Sequence, residues 1–206
     1  MLALLPEVKK WGWVIYRCTY GDDTAWKKFR DRIEVESREY IAQSDAPEIA
    51  ERLEWTWIED AATLDGVSTM VLRERFNAWV ADEVARQPGD YHPWGVSRFN
   101  KFIKVDQESL DSLAEVLSQD MDWSDDGFVK LVDATWEPLG EQEDEEQEDD
   151  EWPGEFWEPI EGCTEKDVGW MRITPLVIGP NLYEVMSGDS VLWYAHYERP
   201  PVIYLG

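Results

Sequence analysis

Apolar and polar positions along this chain repeat with two periods, and the two take turns. Trp11–Tyr20, WGWVIYRCTY, is rich in aromatic and β-branched residues and stops at Gly21-Asp22-Asp23, the composition and ending of a β-strand. Its side chains divide into Trp13/Ile15/Arg17/Thr19 and Val14/Tyr16/Cys18/Tyr20, because successive residues of a strand point to opposite faces. Both sets carry bulk, which predicts a central strand covered on both sides. The period then lengthens. Asp22 or Asp23 caps a helix reaching about Gln43, with Trp26, Phe29, Ile33 and Tyr40 on one face. A short helical turn is predicted over Pro47–Leu53, and Glu54–Asp60, EWTWIED, reads as a second strand. Ser68 or Thr69 caps a helix through Gln87, with Leu72, Phe76, Trp79, Val80 and Val84 along its apolar stripe. After the loop QPGDYHPWG, Ser97–Val105 reads as a third strand. Asp106 caps a helix carrying Leu110, Leu113, Ala114 and Leu117, and Phe128–Trp136 is a fourth strand. Val168–Thr174 reads as strand five, Pro175–Ser187 as irregular or helical, and Val191–Tyr197 as strand six. Pro200-Pro201 is expected to lead the chain out of the sheet.

This order predicts a fold class. The first four strands with their helices give the split βαβ, ferredoxin-like order. A further β-α-β extends it. The expected architecture is therefore α+β, a two-layer sandwich with helices mainly on one face of the sheet. At 206 residues one domain, 1–206, is expected. A doubly wound parallel sheet is the rival, with no Gly-rich phosphate loop to support it.

Charge changes the picture at one place. Thirteen acidic residues fall between Glu137 and Glu161, and no Lys or Arg occurs between Lys130 and Lys166. That segment supplies half of the net charge of −26. Charges this dense repel one another and resist burial, so 137–161 reads as an acidic loop between strands, mobile at least over Gly140–Glu151. Trp152, Phe156 and Trp157 follow the run, placed to dock its end onto the body or to meet a partner. The balance of charge disfavours nucleic acid and anionic membrane surfaces. Solubility is its plainest reading, and attraction to a basic protein is the sharper one. No apolar run approaches the roughly 18 residues of a membrane span, and MLALLP is too short for a signal sequence. A soluble, cytoplasmic protein is expected.

The blocks WGWVIYRCTYGDD, LEWTWIED and EPIEGCTEKDVGWMRIT resemble those of a family of uncharacterised filamentous-fungal proteins. That family shares a strand followed by GDD and an early Trp, an acidic low-complexity loop, and an EGCTE-DVGWM block. The resemblance covers most of the chain and implies a fungal, cytosolic origin. It implies no activity, and no functional residue is carried over from it. In general plan the opening also resembles the dimeric α+β barrels, which include cofactor-free monooxygenases and cyclases. That likeness is one of element order, and fold does not fix function.

Candidate chemistry is sparse. The only histidines are His92, in the YHPWG loop, and His196, in predicted strand six on the face of Leu192 and Tyr194. A lone His is more often structural than catalytic, yet His92 with Trp94 would make a pocket rim carrying a group that titrates near neutral pH. Arg17 sits mid-strand, where a charge must pair with an acid or face a cavity. Pairing is the plainer fate; holding a ligand carboxylate or enolate is the sharper one. Cys18 reads as a small buried apolar group, and Cys18 and Cys163 make no disulfide scaffold, though a single bond between them stays open. Neither metal-ligand spacing nor a nucleophile motif occurs, and no cofactor is implied. Two functional readings result. One is an interaction protein whose acidic loop and Trp152, Phe156 and Trp157 meet a basic partner. The alternative binds or transforms an apolar small molecule in an aromatic pocket built from Tyr16, Arg17, His92, Trp94 and His196. An open sheet edge or apolar sheet face would also suit a homodimer.

Overall fold

The computed structural model describes residues 10–86, 95–138, 157–188 and 190–206. Among them β1 (Val14–Arg17) is completely buried. Helix α1 (Asp23–Ala42) follows, opened by the Asp22 side chain, which accepts from the amide of Ala25 at 2.8 Å. A 3-10 turn at Pro47–Arg52 leads to β2 (Thr56–Ile58), and a single helical turn, α2 (Ala61–Leu64), precedes α3 (Thr69–Ala85). Another single turn, α4 (Ser97–Asn100), runs into β3 (Lys101–Val105). Then come α5 (Gln107–Gln119), β4 (Val129–Asp133), β5 (Trp170–Ile173), α6 (Pro180–Val185), α7 (Ser190–His196) and β6 (Ile203–Tyr204).

The six strands form one mixed sheet in the order β2-β1-β3-β4-β5-β6. The class is α+β. The finer expectation needs correcting. A split βαβ keeps another strand between its two parallel strands, as in the ferredoxin-like order. Here β1 and β2 pair directly, Val14 opposite Thr56 and Tyr16 opposite Ile58. On its other side β1 pairs in parallel with β3, Ile15 opposite Ile103. The first crossover therefore steps from β1 to β2, and the second steps in the opposite direction from β2 across β1 to β3. Right-handed connections then place α1 and α3 on opposite faces of the sheet. Beyond β3 the sheet turns antiparallel through β4 and β5, and β6 adds in parallel to β5.

Helices consequently cover both faces rather than mainly one. On the first, Trp13, Ile15, Ile103 and Leu131 meet Phe29 and Ile33 of α1 and Leu113 and Leu117 of α5. On the second, Val14, Tyr16, Phe102 and Val132 meet Leu72 and Phe76 of α3. Each face holds apolar side chains that must leave water, so each needs a helical layer.

Three further corrections concern single elements. Ser97–Asn100 is a helical turn, and its Arg98 reaches the starts of β1 and β2. Its Nη1 donates to the carbonyls of Gly12 and Glu54 at 3.1 and 2.8 Å, and its Nη2 to Thr56 Oγ1 at 2.7 Å. The expected strand six is instead the helix α7. Only Trp193 of that stretch is buried, while Val191 and Tyr194 are 64% and 65% exposed, a one-sided pattern that a helix satisfies. Pro200 and Pro201 do not lead away from the sheet. They return the chain to its edge, where Ile203 and Tyr204 pair with Arg172 and Ile173.

Candidate functional site

Arg17 is held at the carboxyl end of β1 and is 6% exposed. Its Nε donates to the Thr19 carbonyl at 2.9 Å, Nη2 pairs with Asp23, and Nη1 lies 3.5 Å from Glu59 Oε2. The guanidinium also lies over the Tyr20 ring, 4.3 Å from its centroid. Two carboxylates and a ring engage it. Tyr16 faces the other side of the sheet, edge-on to Phe102 at 5.2 Å, where burial pushes its phenol well above the ordinary range. His196 ends α7, its Nδ1 3.4 Å from Tyr204 Oη, beside the strand at the far edge of the sheet. The structure does not bring Tyr16, Arg17 and His196 together: two lie on opposite faces of β1, and β3, β4 and β5 separate them from the third. His92, Trp94, Trp152, Phe156 and the expected loop over Gly140–Glu151 lie outside the described residues. Trp157 is partly buried, with the Arg199 guanidinium 5.3 Å from its ring; Arg199 in turn donates from Nη1 to the Glu165 carbonyl at 2.8 Å.

Sequence reasoning missed a row of buried cations. Lys104 and Lys130 lie opposite each other on β3 and β4, and Lys130 lies opposite Arg172 on β5. Lys104 is 5% exposed and Lys130 7%. Asp106, at the N-cap of α5, gathers them: its Oδ2 lies 2.8 Å from Lys130 Nζ and 3.4 Å from Lys104 Nζ. Glu108 Oε2 lies 2.7 Å from Lys130 Nζ, and its other oxygen pairs with Arg172. Burial pushes the Asp106 carboxyl up, but the hydrogen bond and charge of Lys130, with the charge of Lys104, outweigh it and hold the group below its ordinary range. Burial likewise pushes Lys130 down, and its bonds to Asp106 and Glu108 raise it overall. Cys18, 2% exposed nearby, has its thiol pushed up to about 12 by burial. It stays a neutral apolar group, because a thiolate is the reactive form. The signal for the lysines was available: the alternation of FIKV and VKLV puts each mid-strand, where the argument made for Arg17 applies equally. Asp106 and Glu108 thus pair with all three cations of the row, while the buried Nε of Arg172 has no hydrogen-bond partner among the described residues.

A concave surface opens elsewhere, at the root of the acidic segment. The described chain breaks off after Pro138 and resumes at Trp157. Both roots border a crevice of about 1070 Å³ against α3. Trp136 and Glu137 form one wall, Ile160–Glu165 the other, and Met70 and Glu74 of α3 a third side. Among the described residues Arg73 is the only cation lining it, and it is turned to backbone: Nε donates to the Asp133 carbonyl at 2.9 Å and Nη2 to that of Gly169 at 2.8 Å. Trp136 covers its guanidinium at 4.8 Å. Gly169 makes room for both. Its φ is +74°, and a Cβ there would sit 2.3 Å from Arg73 Nη2 and 2.5 Å from the Trp136 ring. Thr69 donates to Glu161 Oε1 at 3.0 Å, fixing that carboxylate at the lip. The walls thus carry four carboxylates, Glu74, Glu137, Glu161 and Glu165, around apolar Met70 and Ile160.

Among the described residues no group of three His, Cys, Asp or Glu is placed to hold a metal ion, and no helix is long and apolar enough to cross a membrane. Comparison with protein-family models, curated proteins and solved structures finds no match for the chain.

Proposed function

We propose that the protein is an interaction protein that takes a basic, partly apolar segment of a partner protein into the crevice at the root of its acidic segment. One observation carries this reading: the crevice walls bear four carboxylates, and their single cation is already bound to backbone carbonyls. A Lys- or Arg-rich segment would find charge at the lip and apolar surface at Met70 and Ile160. The sequence carries ten more acids between Glu141 and Glu155, whose charge would help steer such a partner. Of the residues expected for the small-molecule alternative, Tyr16, Arg17 and His196 do not converge, and His92 and Trp94 lie outside the described residues.

The test is binding of a ten-residue peptide of alternating Lys and Leu, against one of Glu and Leu, followed by fluorescence anisotropy. The basic peptide should bind, more weakly at higher salt. Glu74→Lys together with Glu161→Lys should weaken it about tenfold with the acidic segment intact. Removal of residues 140–151 should slow association. Binding that ignores the charge reversals would place the contact on the acidic run alone and overturn the crevice as the docking site. No binding would overturn the whole reading.

A further inference from the structure

On the other side of the molecule, the C-terminal half of α1 and the stretch from Pro175 to Leu182 enclose a groove of about 520 Å³. That volume lies within the range of small-molecule sites. Its floor is buried and apolar: Ile33, Ile178 and Leu182 are each no more than 3% exposed. The floor is also braced, because Ser37 donates from Oγ to the Ile178 carbonyl at 3.2 Å and ties α1 to the opposite wall. Two tyrosines stand on the walls. Tyr40 accepts from Asn181 Nδ2 at 2.6 Å, and Tyr204 comes from the edge strand β6. Among the described residues no Lys, Arg or His lines this groove, whereas two carboxylates, Glu36 and Glu39, do. Glu36 accepts from Arg32 and from Trp123 Nε1, both at 2.6 Å. Glu39 is exposed and forms no ion pair among the described residues.

From this we infer that the groove is a binding site for a small organic cation, an amine with an apolar body. The apolar part would lie on Ile33, Ile178 and Leu182. The charged head would sit by Glu39, with the Tyr40 and Tyr204 rings among the lining of the same groove. An anion of the same shape would meet the Glu39 carboxylate, unpaired among the described residues, since the Glu36 carboxylate is already paired with Arg32. A neutral molecule would gain the floor and lose the head. The site is separate from the crevice proposed for a basic partner, sharing no residue with it.

Three probes with one apolar body separate these cases: octylamine, 1-octanol and octanoate. Each would be titrated into the full chain at about neutral pH and moderate salt, with binding followed through the methyl NMR signals of Ile33, Ile178 and Leu182. Octylamine should shift those signals and bind at least about tenfold tighter than 1-octanol, and octanoate should leave them unmoved. Glu39→Gln, a change at an exposed position, should weaken octylamine about tenfold without altering 1-octanol. Glu74→Gln, in the distant crevice, should change neither, which separates the site from general attraction to an acidic protein. Equal binding of all three probes would reduce the groove to an unselective apolar surface and overturn the assignment. So would octylamine binding that shifts other residues instead, or binding indifferent to Glu39→Gln.

Discussion

Asp106 does two jobs with one carboxylate. Its Oδ1 accepts from the Ser109 amide at 3.2 Å, opening α5, while Oδ2 faces Lys130 and Lys104. Asparagine caps a helix about as well as aspartate, so Asp106→Asn isolates the charge. It leaves two buried ammonium groups with less opposing charge, and breaking a buried pair in this way costs about 3 kcal/mol. The pH dependence has a definite sign. The folded carboxyl lies below its ordinary value. Its contribution is therefore complete above the unfolded value of about 3.9 and is lost as pH falls through the lower folded one. Urea unfolding at a series of pH values should show the gap between wild type and Asp106→Asn steady near pH 7 and closing below about pH 4. A gap that stays constant to pH 2 would mean that the cap, and not the charge, had been damaged. Lys130 works at the opposite limit. Its raised value keeps its share of the pairing until strongly alkaline pH.

The three long helices, α1, α3 and α5, were legible in the chain because each has a cap and a stripe. Asp22, Ser68 and Asp106 are the N-caps of α1, α3 and α5; the capping pattern names Asp106 alone and gives each of the other two as one of a neighbouring pair. The stripes held where side chains meet the sheet and slipped at their ends. Tyr40 is 51% exposed, and Ser37 and Ile41 take the buried positions there. On α5, Val116 is buried while Ala114 is exposed. What could not be read was order across the sheet, since a parallel neighbour and a split pair use the same β-α-β sequence. Nor could α7 be separated from a strand, because Val, Leu, Trp and Tyr in succession favour strands by type while the packing of Trp193 decides the outcome. The crevice was only half legible: the acidic run announced one part, but nothing in the sequence joins Glu74 to Glu161. The caps make a direct check possible. Asp22→Ala should lower stability by about 1 kcal/mol in urea unfolding, and Asp22→Asn should restore most of it. No loss on Asp22→Ala would show that packing of Trp26, Phe29 and Ile33 alone fixes where α1 begins.

A charge of −26 on 206 residues acts on the whole body as well as at its lips. Self-repulsion opposes a compact state, and salt relieves it. Removing residues 140–151 deletes nine acids and no base, which takes −26 to −17. Thermal unfolding should therefore show the full chain gaining several degrees between low and physiological salt, and the shortened chain gaining less. Equal gains would mean that the acidic segment is too far from the fold to press on it. The sheet itself is well guarded at its margins, since its edge strands β2 and β6 are three and two residues long. Short edges offer other chains little backbone to pair with.

During synthesis that protection arrives late. A ribosome delivers β1 first. Its β2 side is filled once Ile58 has emerged, but its other side waits for Ile103–Val105, more than forty residues further on. Until then a strand destined for the interior carries one bare hydrogen-bonding edge, flanked by Trp11 and Trp13. The nascent protein therefore passes through the very exposure that its finished form avoids.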